Sequence, residues 1–418
     1  MITRIEALNF RCLRFVQRSL GPLQILVGPN ASGKSTFLDA IEFVGDLVSG
    51  GGPEAAFRKR TANPLDLLWN RQPGVMELVV EALMPEDLKR RLNGGSFDTI
   101  RYELQLRVEA GPNPPELQAE RLLFKTAERN PQQQLNFPEL RQPPETLLTP
   151  RSQRKRFILN KVPGGNDNFY SEIHDRPGKG WAPSVRLGPR KSALSNLIED
   201  ETRFPVATWF KSTLTGGIQR MVLNSVLMRQ ASPPGRGRGF LPDGSNLPWV
   251  VEDLRKRAPE RFRQWVQHLA TALPELEGIR VVERPDDRHS YLMLRYRGGL
   301  EAPSWVVSDG TLRLLALTIL AYIPGLRDIF LIEEPENGIH PTAVETVYQS
   351  LRSVYEGQVL VATHSPILLA IAKPSEILCF AKTPEGATDI VRGDEHPALR
   401  HWQGEVSLGD LFAAGVLG

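Results

Sequence analysis

Apolar positions divide the chain into three stretches of different character. At the start, Met1–Phe10 reads as a strand, and Leu23–Val27 is an unbroken apolar run of the buried-strand kind. That run leads straight into the sequence GPNASGKST. Beyond it, Phe37, Leu38, Ile41, Val44, Leu47 and Val48 recur at helical spacing until Gly50-Gly51-Gly52-Pro53 stops the pattern. Three strands are expected next, Glu77–Met84, Ile100–Ala110 and Glu116–Phe124. The middle one alternates, with Tyr102, Leu104, Leu106 and Val108 on one face, which predicts an antiparallel strand with its other face in water.

Residues 126–245 lose this regularity. They hold 13 prolines, among them Pro131, Pro143, Pro144, Pro233 and Pro234, so no long coiled coil can run through them. They also carry 18 Lys and Arg against 10 Asp and Glu. From Leu247 regular patterns return: an amphipathic helix over Val250–Leu273, a strand pair at Ile279–Glu283 and Tyr291–Tyr296, and an apolar helix over Leu312–Ile323. Two buried strands follow, Ile329–Ile332 and Gln358–Ala362. Helices alternating with apolar strands after residue 305 predict a parallel sheet covered on both faces. The expected organisation is three regions, 1–125, 126–245 and 246–418, with the middle one a basic, proline-rich insertion.

Charge changes this picture only locally. Overall the 418 residues carry 51 Lys and Arg against 48 Asp and Glu. The net of +3 therefore conceals a middle stretch at +8 and a remainder at −5. Arg151, Arg154, Lys155 and Arg156, then Arg186, Arg190 and Lys191, and the Gly235-Arg236-Gly237-Arg238-Gly239 loop make nucleic acid or an acidic partner an expected contact. A solvated face that keeps the protein soluble is the alternative reading of the same charges. Two cysteines, Cys12 and Cys379, provide neither a disulfide framework nor a cysteine zinc site. The segment MITRIEALNFRCLRF lacks the apolar core of a secretion signal, and the apolar run Leu314–Ile323 is too short to span a bilayer. A soluble, cytoplasmic protein without a membrane partner is expected.

The chemistry is concentrated in four motifs. Gly28-Pro29-Asn30-Ala31-Ser32-Gly33-Lys34-Ser35 satisfies G-x-x-x-x-G-K-[ST] between an apolar strand and an amphipathic helix, the context a phosphate-binding loop needs. Its glycines let backbone N–H groups and the helix N-terminus face phosphates. Lys34 would reach the β- and γ-phosphates, and the Ser35 hydroxyl would hold Mg²⁺. Ile329–Ile332 delivers Glu333 and Glu334 to a strand C-terminus, where open α/β sheets bind ligands. Glu333 is the expected second metal ligand, and Glu334 the group that orients and deprotonates the attacking water. Val361-Ala362-Thr363-His364-Ser365-Pro366 ends another apolar strand in a histidine, and Ser308-Asp309-Gly310-Thr311 opens the apolar helix. Ser308 and the N–H groups there would form a second phosphate grip, though the same residues also make a good helix cap.

In order and spacing these elements resemble the ABC-type ATPase heads, in the branch that includes the OLD-like ATPases, RecF and SMC-type proteins. Asn9-Phe10-Arg11 resembles an N-terminal element of that branch whose arginine contacts nucleotide, and Asp243-Gly244-Ser245-Asn246-Leu247 a further OLD-like element. The resemblance covers roughly 1–125 and 243–373. It implies an α/β P-loop head built of a mixed-sheet lobe and a parallel-sheet lobe, with ATP and Mg²⁺ as cofactors. It also implies ATP contacts from Arg11, Asn30, Gly33, Lys34, Ser35 and Thr36, and a metal held by Ser35 and Glu333. Catalytic roles fall on Lys34, Glu334 and His364, the last in the switch-histidine position. Ser308 and Gly310 match the signature loop that contacts the γ-phosphate on the other subunit of a homodimer, and Asn337 matches the D-loop. Glu333 departs from the commoner aspartate, and SDGT from the transporter signature.

Among the relatives, 305 residues between Gly28 and Glu333 disfavour a transporter subunit, and the prolines disfavour an SMC-type coiled coil. With 52 residues after Pro366, a TOPRIM nuclease domain of ordinary size is not expected. The resemblance then implies a sensor or scaffold ATPase of a prokaryotic antiphage system with a separate nuclease or toxin effector. The alternative is a RecF-like repair ATPase that clamps DNA.

Overall fold

A computed structural model describes residues 1–92, 97–127, 136–150, 155–173, 182–237, 239–399 and 406–417. Two sheets carry most of it. The first has eight strands in the order Leu13–Ser19, Ile2–Phe10, Gly74–Leu83, Thr99–Val108, Glu116–Lys125, Arg156–Lys161, Asp167–Phe169 and Ser184–Val185, with each neighbouring pair antiparallel. The second runs Ile218–Met221, Ile329–Glu333, Gln358–Ala362, Leu23–Val27, Ile377–Lys382 and Thr388–Arg392; only its last pair is antiparallel. A three-stranded antiparallel sheet, Leu276–Glu283, Ser290–Tyr296 and Glu301–Pro303, stands beside the helices Leu247–Arg257 and Pro259–Ala272.

The parallel sheet is covered on both faces, as its unbroken apolar runs require. Leu26, Ile329, Leu331, Leu360 and Ala362 face one core, shared with the helix Lys34–Asp46 and the antiparallel sheet. Ile25, Val27, Phe330, Ile332, Val359 and Val361 face a second core with the helices Asp309–Ile319 and Pro341–Arg352. Period-two alternation thus assigns successive residues of one strand to different cores. No helix among the described residues is long and apolar enough to cross a membrane.

The structure differs from the sequence pattern in three places. The strand Thr99–Val108 is half-solvated only at its end, where Arg107 is exposed; Arg101 and Glu103, on its polar face, are buried like Tyr102 and Leu104. Residues 146–149 lie over that face, and the N–H of Thr149 donates to both oxygens of Glu103. The single helix expected over Val250–Leu273 is two, parted at Ala258 (φ −139°), because Pro259 disfavours helical geometry in the residue before it. The proline-rich segment 126–245 threads through both sheets. Its strand Arg156–Lys161 extends the antiparallel sheet, and Ile218–Met221 edges the parallel sheet beside Ile329–Glu333. The prolines among the described residues are tolerated there because they stand in connections or, like Pro205, in the first turn of a helix.

Candidate active site

The phosphate-type loop forms where the strand Leu23–Val27 ends against the helix Lys34–Asp46. Gly33 enters that helix at φ 107°, and a Cβ there would lie 2.4 Å from Thr388 Oγ1, so the turn admits only glycine. The Lys34 side chain is buried and curls back over the loop, its ammonium donating to the carbonyls of Gly28 (2.8 Å) and Pro29 (2.9 Å). Burial draws its pKa down, against the opposing pull of Glu334 and then Glu333. A lysine satisfied only by loop carbonyls can exchange them for phosphate oxygens.

Parallel pairing aligns the strand Ile329–Glu333 with Gln358–Ala362 and so brings both acids to the mouth of the loop. The Ser35 hydroxyl donates to Glu333 Oε2, and Glu333 Oε1 accepts from Arg220. The adjoining edge strand supplies Arg220, whose other branch pairs with Glu42 Oε2 at 3.0 Å. Burial would weaken that guanidinium's protonation, yet Glu42 and Glu333 outweigh it and raise its pKa. Glu334 is held at φ +49°, a left-handed conformation that costs a non-glycine residue of order 1–2 kcal/mol. Its N–H donates to the Ala362 carbonyl at 2.7 Å, and its carboxylate accepts from the Asn337 amide. Glu336 fixes the neighbouring turn by accepting from Thr363 Oγ1 (2.6 Å) and from the His364 N–H (3.1 Å).

A cavity of about 320 Å³ joins these groups. Asn30, Gly33, Lys34, Ser35, Thr36, Glu333, Glu334 and His364 all line it, together with Cys12 and Lys382. Of the positions expected from sequence, Arg11, Ser308, Gly310 and Asn337 are not among its lining residues. Arg11 turns to Asp39 instead (2.9 Å), and Asn337 reaches the cavity only through Glu334. Ser308 caps the helix Asp309–Ile319 by accepting from the Thr311 N–H. Gly310 packs so closely on the Glu336–Ile339 turn that a Cβ would lie 2.2 Å from the Gly338 carbonyl oxygen. Asn246, in the element Asp243–Leu247, is fully buried and ties its own loop together through the N–H of Leu241 and the carbonyls of Gly237 and Gly239.

Sequence reasoning missed Arg220, Glu336, Cys12 and Lys382. Glu336 stands in the same short run as Glu333 and Glu334 and was within reach of the motif. Arg220 and Lys382 gave no local signal, because sheet neighbours distant in sequence bring them to the site. The basic stretch is only partly free. Arg156 donates to the carbonyls of Ser171 and Glu172, and Arg236 to Ser245, whereas Arg186, Arg190 and Lys191 are exposed. Arg151, Arg154 and Arg238 lie outside the described residues.

A family model described as "AAA domain, putative AbiEii toxin, Type IV TA system" matches residues 23–370, a span that includes the loop, both acids and His364. The chain belongs to this AAA_21 family of ATPase domains. Over 48 residues it is 50% identical to the OLD nuclease of Thermus scotoductus, 11% of this chain and 9% of that one, so it spans a small part of that relative's length. Its fold is that of an SMC head. The structure of an SmcHead bound to the C-winged helix domain of ScpA superposes with a TM-score of 0.51 at 16% identity, over 93% of this chain and 96% of the other. An Smc head domain with an extended coiled coil from Pyrococcus furiosus, bound to the C-terminal domain of ScpA, gives 0.49 at 14% identity, over 99% and 98%. The AAA_21 chain thus carries an ATPase-type loop and paired acids on an α/β fold shared with the SmcHead.

Proposed function

We propose that this chain binds and hydrolyses ATP with Mg²⁺, closes into a homodimer when ATP is bound, and acts as the sensor or scaffold subunit of a prokaryotic antiphage system. In this reading the effector, a nuclease or toxin, is a separate protein. The observation that carries the ATPase part is the meeting of Lys34, Ser35, Glu333, Glu334 and His364 around one cavity. Ser35 and Glu333 already share a hydrogen bond, and a hydroxyl beside a carboxylate is the oxygen pair Mg²⁺ prefers when phosphates complete its shell. Bound there, Mg²⁺ would neutralise charge on the β- and γ-phosphate oxygens.

This chain's own residues supply the rest. Lys34 leaves the carbonyls of Gly28 and Pro29 for the phosphates, and the loop N–H groups fix the chain's position. Glu334, oriented by Asn337, accepts a proton from the water that attacks the γ-phosphorus. His364, held at its backbone by Glu336, faces the same phosphate and stabilises the charge that builds on it. The γ-phosphate leaves as inorganic phosphate, and ADP remains.

Dimerisation draws on Ser308 and Gly310. They form a helix N-terminus suited to phosphate but do not line their own cavity, so a second copy would have to present them. The antiphage role draws on the family's toxin-system description and on the short likeness to the OLD nuclease. The exposed Arg186, Arg190 and Lys191 favour a nucleic-acid contact within the same role, and a DNA clamp is the alternative. Binding through phosphates would weaken steeply with salt, and a salt-insensitive complex would count against it.

Turnover measurements test the central reading. Glu334→Gln should bind ATP yet lose hydrolysis by roughly 10²–10⁴-fold. Ser308→Arg should bind ATP as a monomer but fail to dimerise in light scattering. Wild-type turnover in the first variant would overturn the catalytic assignment, and ATP-dependent dimers of the second would overturn the composite site.

A further inference from the structure

We propose that Lys382 is a second nucleotide-binding cation, which holds the phosphate chain at its α-phosphate end, across the loop from the acids. The inference deepens the ATP reading and rests on it. Four adjacent strands set the geometry: Ile329–Glu333, Gln358–Ala362, Leu23–Val27 and Ile377–Lys382. Glu333, Glu334 and His364 therefore wall one side of the loop, and the strand of Lys382 walls the other. Within its antiparallel hairpin Lys382 stands directly opposite Thr388, and directly opposed residues share a face of the sheet. Thr388 shows where that face looks. Its hydroxyl donates to the Ser32 carbonyl at 2.8 Å, and its N–H to the Cys12 carbonyl at 2.8 Å. Lys382 accordingly rises beside the loop and lines the cavity with Cys12.

Its ammonium is also, among the described residues, a charge of the cavity without a partner. Lys34 is bound to loop carbonyls, Glu333 to Ser35 and Arg220, and Glu334 to Asn337. Among the described residues Lys382 has no ion pair or side-chain hydrogen bond to the protein. An exposed cation lining a phosphate-type cavity is suited to an anionic group of the ligand. The acids decide which group. Ser35 and Glu333 would hold the metal and Glu334 the attacking water, so the γ-phosphate end would lie on the side of the acids. The chain then runs across the loop N–H groups, and its α-phosphate arrives at the opposite wall, beside Lys382.

Titration of the full chain with Mg·ATP and Mg·ADP, followed by calorimetry, tests this. Lys382→Ala should weaken both nucleotides equally, by about tenfold, the weight of one charge-assisted contact in a half-open site. Lys382→Arg should restore most of that loss, and high salt should shrink it. Lys382 is exposed, so melting without nucleotide should not change; Lys382→Gln, which keeps the stem, replaces the alanine variant if that one proves unstable. Undiminished affinity in the alanine and glutamine variants of a chain whose wild type binds would overturn the inference alone. A loss confined to ATP would place Lys382 at the γ-phosphate and overturn it too. A wild-type chain that binds neither nucleotide would bring down the ATP reading itself.

Discussion

Two clusters of charge stand in this molecule, and they are built in opposite ways. Under residues 146–149, Arg101 bonds Glu103 (2.6 Å), Glu81 (2.8 Å), Glu6 (2.9 Å) and the Leu147 carbonyl (3.0 Å), while Lys125 reaches Glu81 at 3.1 Å. These side chains are less than a tenth exposed, and Arg101 spends its donors on several protein acceptors. At the cavity, Glu333 and the Arg220 behind it are about a third exposed, Lys382 has no ion pair among the described residues, and Glu334 carries backbone strain. A closed network joins strands whose neighbours would otherwise leave carboxylates buried alone. An open one leaves lone pairs and cations for a ligand. Charge density alone therefore does not separate the candidate site from a structural network; incomplete satisfaction does.

The sharpest way to break the comparison is to exchange the readouts. Glu334→Gln should cost turnover roughly 10²–10⁴-fold while leaving the urea midpoint nearly in place. Arg101→Met should do the reverse. It takes the shared guanidinium from Glu6, Glu81 and Glu103, and should cost about 3 kcal/mol in urea unfolding, the lower end for a broken buried pair because Arg4, Lys125 and the Thr149 N–H remain. If Arg101→Met unfolds like the wild type, the network is not structural.

Acid should separate the two regions as well. Burial alone would raise the pKa of Glu6, but the charge and hydrogen bonds of Arg101 lower it below the ordinary 4.5. A depressed carboxyl pKa adds stability that is complete above the unfolded value and lost as pH falls through the folded one. The protein should therefore lose stability below about pH 4.5, and Arg101→Met should flatten that limb. An unchanged acid limb in the variant would assign it to other carboxylates.

Behind the cavity, Arg220→Ala should loosen Glu333 and weaken Mn²⁺ binding in the presence of ADP by about 10–100-fold, the usual weight of a partner behind a metal ligand. Unchanged Mn²⁺ affinity would make the Arg220–Glu333 contact incidental. The smallest effect concerns the strain. Glu334→Gly should abolish turnover yet raise the melting temperature, because glycine adopts φ +49° without the cost of about 1–2 kcal/mol that glutamate bears. A lower melting temperature would mean that the Asn337 contact outweighs the strain.

The loop Gly28–Ser35, the acids Glu333 and Glu334, and His364 were legible because their chemistry is contiguous. A strand end, a glycine turn and a helix start carry it within a few residues. The apolar runs likewise determined that the sheet behind them is parallel and covered on both faces. Tertiary structure alone decided the rest. Arg220 meets Glu333 across 113 residues, and Thr388, which stands opposite Lys382, meets Ser32 across 356. The alternation of Thr99–Val108 predicted a wet polar face, and only residues 146–149, folding back over it, made that face a buried network. A strand's pattern fixes which residues share a face, but what covers the face is set by segments far along the chain, whose pairing no local period encodes.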